Sequence, residues 1–236
     1  MTFKLGNLTT VLVDQYDLSG YFDSSDIGRT TQAAKCTTYG QTAEAYSAGL
    51  TDGTLKLGGY YDLTADAIIA ATLGQAAGDI CSWAPEGLAA FGARARILTA
   101  RTIEYAHSDP VGDMIRTALS LQASGGIDAA QSLHILQAET GSANGSDLDN
   151  GTSTANGWAA NLHVTAYSGF TSVAYKLQDS PDGSVWTDLS GGAFTSVTAV
   201  GAQRLTGTGT VNRHVRAVWT KTGTGSATFA LLFARR

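Results

Sequence analysis

The stretch 93–123 limits what this chain can fold into more than any other. It holds two long strand-like runs, Ala93 to Ala106 and Met114 to Ala123, around a breaker that contains Pro110 and Gly112. In the first run Ala95, Ile97, Ile103 and Tyr105 fall on one parity; in the second Ile115, Leu119 and Leu121 do. Side chains alternate across a strand, so each run has one face suited to a core. The opposite parities carry Arg94, Arg96, Glu104, Arg116 and Gln122. The expected product is a sheet with one apolar and one wet face. Such a sheet buries the first and offers the second to solvent, a neighbour or a cavity.

The remaining sequence extends that reading. Charged residues make up only 15% of the 236 positions, so Thr, Ser and Gly must supply the polar cover. That mix suits a β-protein that spends much of its surface on contacts with others, and equally an ordinary Thr-rich β-domain. Leu8 to Val13 reads as a strand entering an acidic loop. Asp14, Asp17, Asp23 and Asp26 lack the tight alternate spacing and closing Glu of a calcium loop, so they read as a solvated acidic edge. Thr30 to Gly49 is polar, rich in Thr and free of Pro, the pattern of a protruding hairpin or a long loop. Its Tyr39 and Tyr46 argue for burial in a contact rather than disorder.

Asp62 to Gly74 is the clearest helix. Ala65, Ile68, Ile69, Thr72 and Leu73 follow its period, Asp62 or Thr64 can cap its start and Gly74 can end it. It is expected to cover the apolar face of the sheet. Ile80 to Trp83 reads as a short strand, and Ser124 to Gly126 as a turn before a mixed segment, Ile127 to Ala138. From Thr140 to Gly157 the composition is that of a linker. The expected organisation is therefore a domain at 1–139, a linker at 140–157 and a C-terminal antiparallel β-sandwich at 158–236. In that last part strand patterns recur at Leu162–Tyr167, Val173–Asp179, Val185–Leu189, Phe194–Val200, Gln203–Thr206, His214–Lys221 and Ala227–Ala234. Ser180-Pro-Asp-Gly183 fits a type I turn closing a hairpin.

Charge excludes one class of partner. The net charge is −5, and residues 1–140 hold 15 acids against 8 Lys and Arg while 141–236 hold 5 against 7. No long-range attraction for nucleic-acid phosphates is expected, and the two parts suggest two surfaces with different tasks. Cys36 and Cys81 sit in no CxxC pair and read as reduced, partly buried thiols. No secretion core or membrane-length apolar run is apparent, so the chain is expected to be made and kept in a cytoplasm until it is assembled, without membrane insertion. His107, His134, His163 and His214 show no zinc spacing, and there is no nucleophile elbow, phosphate loop or dinucleotide fingerprint. No enzyme, cofactor or metal is expected.

Thr38-Tyr-Gly-Gln-Thr-Ala-Glu-Ala-Tyr-Ser-Ala-Gly-Leu-Thr-Asp-Gly-Thr-Leu-Lys-Leu-Gly-Gly-Tyr-Tyr-Asp62, with Ser108-Asp-Pro-Val-Gly-Asp113 and Gln122-Ala-Ser-Gly125, resembles the major tail (tail tube) proteins of long-tailed bacteriophages. The likeness covers roughly residues 1 to 135. Residues 211–233 look like the β-sandwich modules that phage structural proteins append. The resemblance implies a mainly β fold: a tail-tube-like β-sandwich or barrel with one flanking helix, followed by a decorating sandwich. It also implies self-assembly into stacked rings, hexameric or, in members with two tube domains, trimeric, forming a tube in the virion tail through which DNA passes without sticking. A long loop reaches the neighbouring ring in that family, which here points to Thr38, Tyr39, Tyr46 and Leu50. Lumen acids would come from Asp14, Asp17, Asp23 and Asp26, and further partners would be other tail proteins such as the tape measure and the terminator. Two other readings compete: a capsid decoration or other virion surface protein, and a glycan- or receptor-binding module with Trp158, Trp186 and Trp219 as platforms.

Overall fold

The computed structural model describes residues 6–72 and 77–236. Leu73 and Gly74, read above as the end of the helix, lie outside the described residues. The fold is mainly β, with one α-helix among the described residues, α1 (Leu63–Thr72). The strands are β1 (Thr10–Val13), β2 (Tyr16–Asp17), β3 (Phe22–Lys35), β4 (Tyr46–Tyr60), β5 (Asp79–Ala84), β6 (Arg94–Ser108) and β7 (Arg116–Glu139). They continue with β8 (Ala143–Asn144), β9 (Leu148–Asp149), β10 (Trp158–Ser180), β11 (Thr187–Ala193), β12 (Gly201–Gly207) and β13 (His214–Arg235).

The chain divides into two compact units, and not at the boundary expected from composition. One unit takes its described residues from Met1–Gly20, Ile80–Ile97 and Asp128–Arg236; the other from Tyr21–Asp79 and Leu98–Ile127. Composition misled at 140–157, which is no free linker. β8 and β9 pair with β13 at Val218–Trp219 and His214–Val215, Trp219 Nε1 donates to Gly141 O at 2.9 Å, and Leu148 is buried. The Gly, Ser and Asn content of this segment serves close turns against β13 rather than mobility.

In the first unit β10 and β13 pair antiparallel along their whole lengths, from Trp158↔Arg235 to Ser180↔His214. The sequence reads each as two strands. They are continuous because Gly169 (φ +78) and Gly223 (φ +89) bend the backbone at register shifts without ending the ladder. At the end formed by Trp158–Val164 and Ala227–Ala234 both faces of this pair are covered. Trp158, Ala160, Leu162, Val164, Leu231 and Phe233 join one core; Ala159, Ala230, Leu232 and Ala234 join a second with Leu12, Ala84, Ala95 and Ile97. A strand buried on both sides has no wet parity, hence the nearly unbroken apolar runs here. An aromatic cluster fills the first core: Phe229 stacks on His134 at 4.0 Å and meets Tyr175 and Trp219 edge-on at 4.7 and 5.4 Å. β12 and β11 pair with the two ends of β10. The hairpin expected around Ser180–Gly183 is present, its turn held by Ser180 Oγ accepting from Gly183 N at 3.0 Å. Of the expected strand Phe194–Val200 only a bridge from Val197 to Val173 forms.

In the second unit β4 lies between β3 and the first part of β7, with Leu55↔Leu121 and Leu57↔Leu119 in register and all four buried. Helix α1 starts where expected: Asp62 Oδ1 accepts from Thr64 N at 2.8 Å and Ala65 N at 3.2 Å, satisfying two of the first-turn donors. Ala65, Ile69 and Thr72 are its buried residues.

Three local readings are corrected. Ile103 is exposed, because the buried parity of β6 flips between Ile97 and Leu98, both fully buried, where the chain passes from one unit to the other, and Ile115 is exposed ahead of the start of β7. Ser124–Gly126 does not turn the chain; β7 continues through Gly125 and Gly126, which take φ +90 and +88. Cys36 is exposed rather than partly buried, while Cys81 is buried.

Candidate assembly surface

Beyond Gly53 the β3–β4 hairpin leaves the core of its unit. Residues 29–52 are exposed throughout, except for partial cover at Thr37 and Ala45. The strands still pair, Arg29↔Gly53 through Lys35↔Tyr46. A register shift between Thr31 and Ala33 sets two residues of β4, Gly49 and Leu50, opposite the single residue Gln32, with a backbone approach so close that a Cβ at Gly49 would meet Gln32 O at 3.0 Å. Bulges of this kind twist a ribbon and re-aim what it carries. The arm is a hairpin whose strands are joined by residues 36–45, rather than the long loop that was the other option for Thr30 to Gly49.

The tip is ordered by its own polar groups. Cys36 N donates to Ala45 O at 2.9 Å, Ala45 N to Thr37 Oγ1 at 2.9 Å, and Thr38 N to Gln41 Oε1 at 3.2 Å. Gly40 takes φ +93. Glu44 pairs with Lys35 and accepts from Tyr46 OH, contacts that hold its carboxyl below the usual carboxylate range. With local partners taken, Tyr39 stands wholly in solvent and Leu50 is 79% exposed. Tyr46 shares a face of β4 with Ala48 and Thr51, and the bulge between Ala48 and Thr51 sets Leu50 off that face. The four residues singled out from the sequence, Thr38, Tyr39, Tyr46 and Leu50, thus lie on one arm, two at its tip and two on its second strand.

Among the described residues β3 has β4 as its strand neighbour and no other, so its outer edge is open along its length. β4 gains β7 as a second neighbour from Thr54 onward, which leaves its second edge open along the arm. Two open edges and two exposed faces are a template for further strand pairing.

The four acids are scattered in role. Asp14 takes φ +50 in the β1–β2 turn and accepts from Ile80 N at 2.8 Å. Asp17 accepts from Ser19 N at 3.0 Å. These two belong to the first unit. In the second, Asp23 pairs with Arg116 at 2.8 Å, and Asp26 is exposed in register with Lys56.

A Ser–His contact that resembles a catalytic dyad is sealed in the first unit. Ser82 Oγ lies 2.7 Å from His163 Nε2, and His163 Nδ1 lies 2.7 Å from Asp14 O. His163 is fully buried and Ser82 nearly so, and a nucleophile without access to substrate performs no chemistry. The pair opens a longer buried chain: Asn161 Nδ2 donates to Ser82 Oγ at 3.2 Å, Arg204 Nη1 to Asn161 Oδ1 at 2.7 Å, and Arg204 and Arg236 both pair with Asp128. The sequence carried a signal for it, since Asn161 and His163 are polar residues at alternate positions inside the apolar run 158–164. His134 is likewise part of a core, and His214 pairs with Asp147 at 2.8 Å. His107 lies 3.6 Å from Asp66, to which Tyr105 OH donates at 2.9 Å. Among the described residues no group of three His, Cys, Asp or Glu side chains is placed to hold a metal ion. Trp158 and Trp219 are buried, and Arg216 covers the Trp186 ring at 4.2 Å.

No protein-family model matches the chain, and no curated protein matches its sequence. Among solved structures, a chain from the virion of a native gene transfer agent particle is similar over 54% of this chain and 98% of its own, at 9% identity and a TM-score of 0.45. The Dit protein of phage SPP1, described as a paradigm of the hub adsorption apparatus in phages that infect Gram-positive hosts, matches over 94% of this chain and 98% of its own, at 12% identity and a TM-score of 0.40. A chain of the phage p2 baseplate in its activated conformation matches over 97% and 98%, at 8% identity and a TM-score of 0.39. Identities and scores this low record a remote likeness and carry no inference about this chain.

Proposed function

We propose that this chain is a structural subunit of a phage-type tail, and within it a tail tube protein whose copies form stacked rings. The observation that carries the reading is the arm at residues 29–52, a paired ribbon with both faces and both edges open to solvent. A two-stranded ribbon by itself is marginally stable in water, and a polar one specifies its register weakly. Such an arm is completed when another copy supplies strand edges or a covering face. Head-to-tail contacts of this kind close into rings. The residue patterns at 38–62 and 108–125 support the same assignment through their resemblance to tail tube proteins.

In this reading Tyr39, Tyr46 and Leu50 are contact residues between copies, and Thr38 belongs to the tip that reaches the next ring. Asp23 and Asp26 are the better lumen candidates of the four acids, because Asp14 and Asp17 are committed to turns in the first unit. The rings are hexameric, the chain works in the virion tail beside a tape measure and a terminator protein, and DNA passes an acidic lining without adhering. The first unit decorates the tube. A glycan-binding role has lost its platforms, since two of the three tryptophans are core and the third is covered by Arg216.

Negative-stain microscopy of the purified chain tests the proposal. Rings or tubes are expected at high protein concentration. A species that stays monomeric under those conditions contradicts it.

A further inference from the structure

We propose that His163 is an acid-released latch that fastens the β1–β2 turn and β5 to β10 inside the first unit. The hydrogen-bond geometry suits the neutral ring in one tautomer. The Asp14 carbonyl can only accept, so the proton of the neutral ring sits on Nδ1, and Nε2 accepts from Ser82 Oγ. Ser82 Oγ is already an acceptor for Asn161 Nδ2, which also donates to Cys81 O at 3.0 Å. Each link therefore has a fixed direction. A proton on Nε2 gives Ser82 a second donor and leaves its own hydroxyl hydrogen without the ring nitrogen that accepted it.

Among the described residues, the groups nearest the ring already have partners of their own. From β5 the ring is met by Ser82 beside the buried Cys81 thiol, and from the β1–β2 turn by Asp14, whose carboxylate accepts from Ile80 N. Along its own strand it reaches Asn161, then Arg204 of β12, a second cation. Asp128 of β7, at the far end of these hydrogen bonds, is shared by Arg204 and Arg236. Burial accordingly pushes the imidazole down to about 4, against the upward pull of the Asp14 carbonyl.

The sign follows from the lowered value. The open state takes up its proton near 6.5 and the closed state only near 4, so closure is fully favoured above 6.5 and weakens as pH falls between the two. The opening equilibrium then rises by roughly tenfold per pH unit, about 300-fold over the window.

The two cysteines provide the readout, because Cys36 is exposed and Cys81, the neighbour of Ser82, is buried. In a Cys36→Ser variant of the full chain, the reaction of Cys81 with dithiodipyridine, which labels thiols in acid, is followed from pH 7.5 to 3.5. Thiol reactivity corrected for reagent pH dependence is expected to climb steeply between pH 6.5 and 4, and to lose that climb when His163→Asn is added. A flat profile in the Cys36→Ser protein, or an unchanged climb with His163→Asn, overturns the proposal. Should His163→Asn fail to fold, imidazole nitrogen shifts of the unaltered protein decide. A neutral ring protonated on Nδ1 down to about pH 5 supports the latch, and a ring titrating near 6.5 refutes it.

Discussion

Residues 158–164 and residues 29–52 are both strand, yet they meet water in opposite ways. In the first stretch Trp158, Ala160, Leu162 and Val164 enter one core, Ala159 a second, and Asn161 and His163 carry a polar chain from Asp14 to Asp128. In the second, backbone pairing and a self-contained tip are what the fold supplies, and the side chains remain in solvent. The contrast separates two tasks that secondary structure alone does not distinguish. One stretch keeps the subunit folded; the other is free to join subunits.

The largest effect should come from the buried side of that comparison. Phe229→Ala removes the ring around which His134, Tyr175 and Trp219 gather and should cost about 4 kcal/mol, read as a lowered denaturant midpoint at constant slope. Asp128→Ala strands Arg204, whose side chain is 10% exposed, and should cost about 3 kcal/mol by the same measurement. A smaller loss, about 1 kcal/mol, is expected for Asp62→Ala, which removes the acceptor of two first-turn amides of α1. Smallest are Tyr39→Ala and Leu50→Ala, within about 0.5 kcal/mol in the dissociated subunit. Those two should instead raise the concentration needed for assembly, measured by sedimentation velocity. An arm substitution that destabilised the isolated chain as much as Phe229→Ala would erase the distinction.

Features decided by neighbours in sequence could be read directly. Asp62 ahead of an apolar period, Ser180-Pro-Asp-Gly183 between two runs and the Thr-rich stretch around Tyr39 and Tyr46 each carry their own local physics. Features decided by what packs against them could not. Gly125 and Gly126 have turn chemistry, yet the flanking residues pair on, so the strand passes through. Residues 140–157 have linker composition, but β13 offers them an edge. Ile103 obeys the parity of Ala95 and Ile97 only if one core serves the whole strand, and two do. The arm was legible as an exposed element in its polarity; its open edges needed the pairing partners of β3 and β4 to be known.

Amide hydrogen exchange across residues 29–52, compared between dilute subunits and the same chain at assembling concentration, addresses the role of the arm most directly. Fast exchange in the dilute state and clear protection on assembly are expected, with residues 158–164 slow in both. Equal exchange of the arm in the two states, or a chain that never leaves the monomer, would contradict that role.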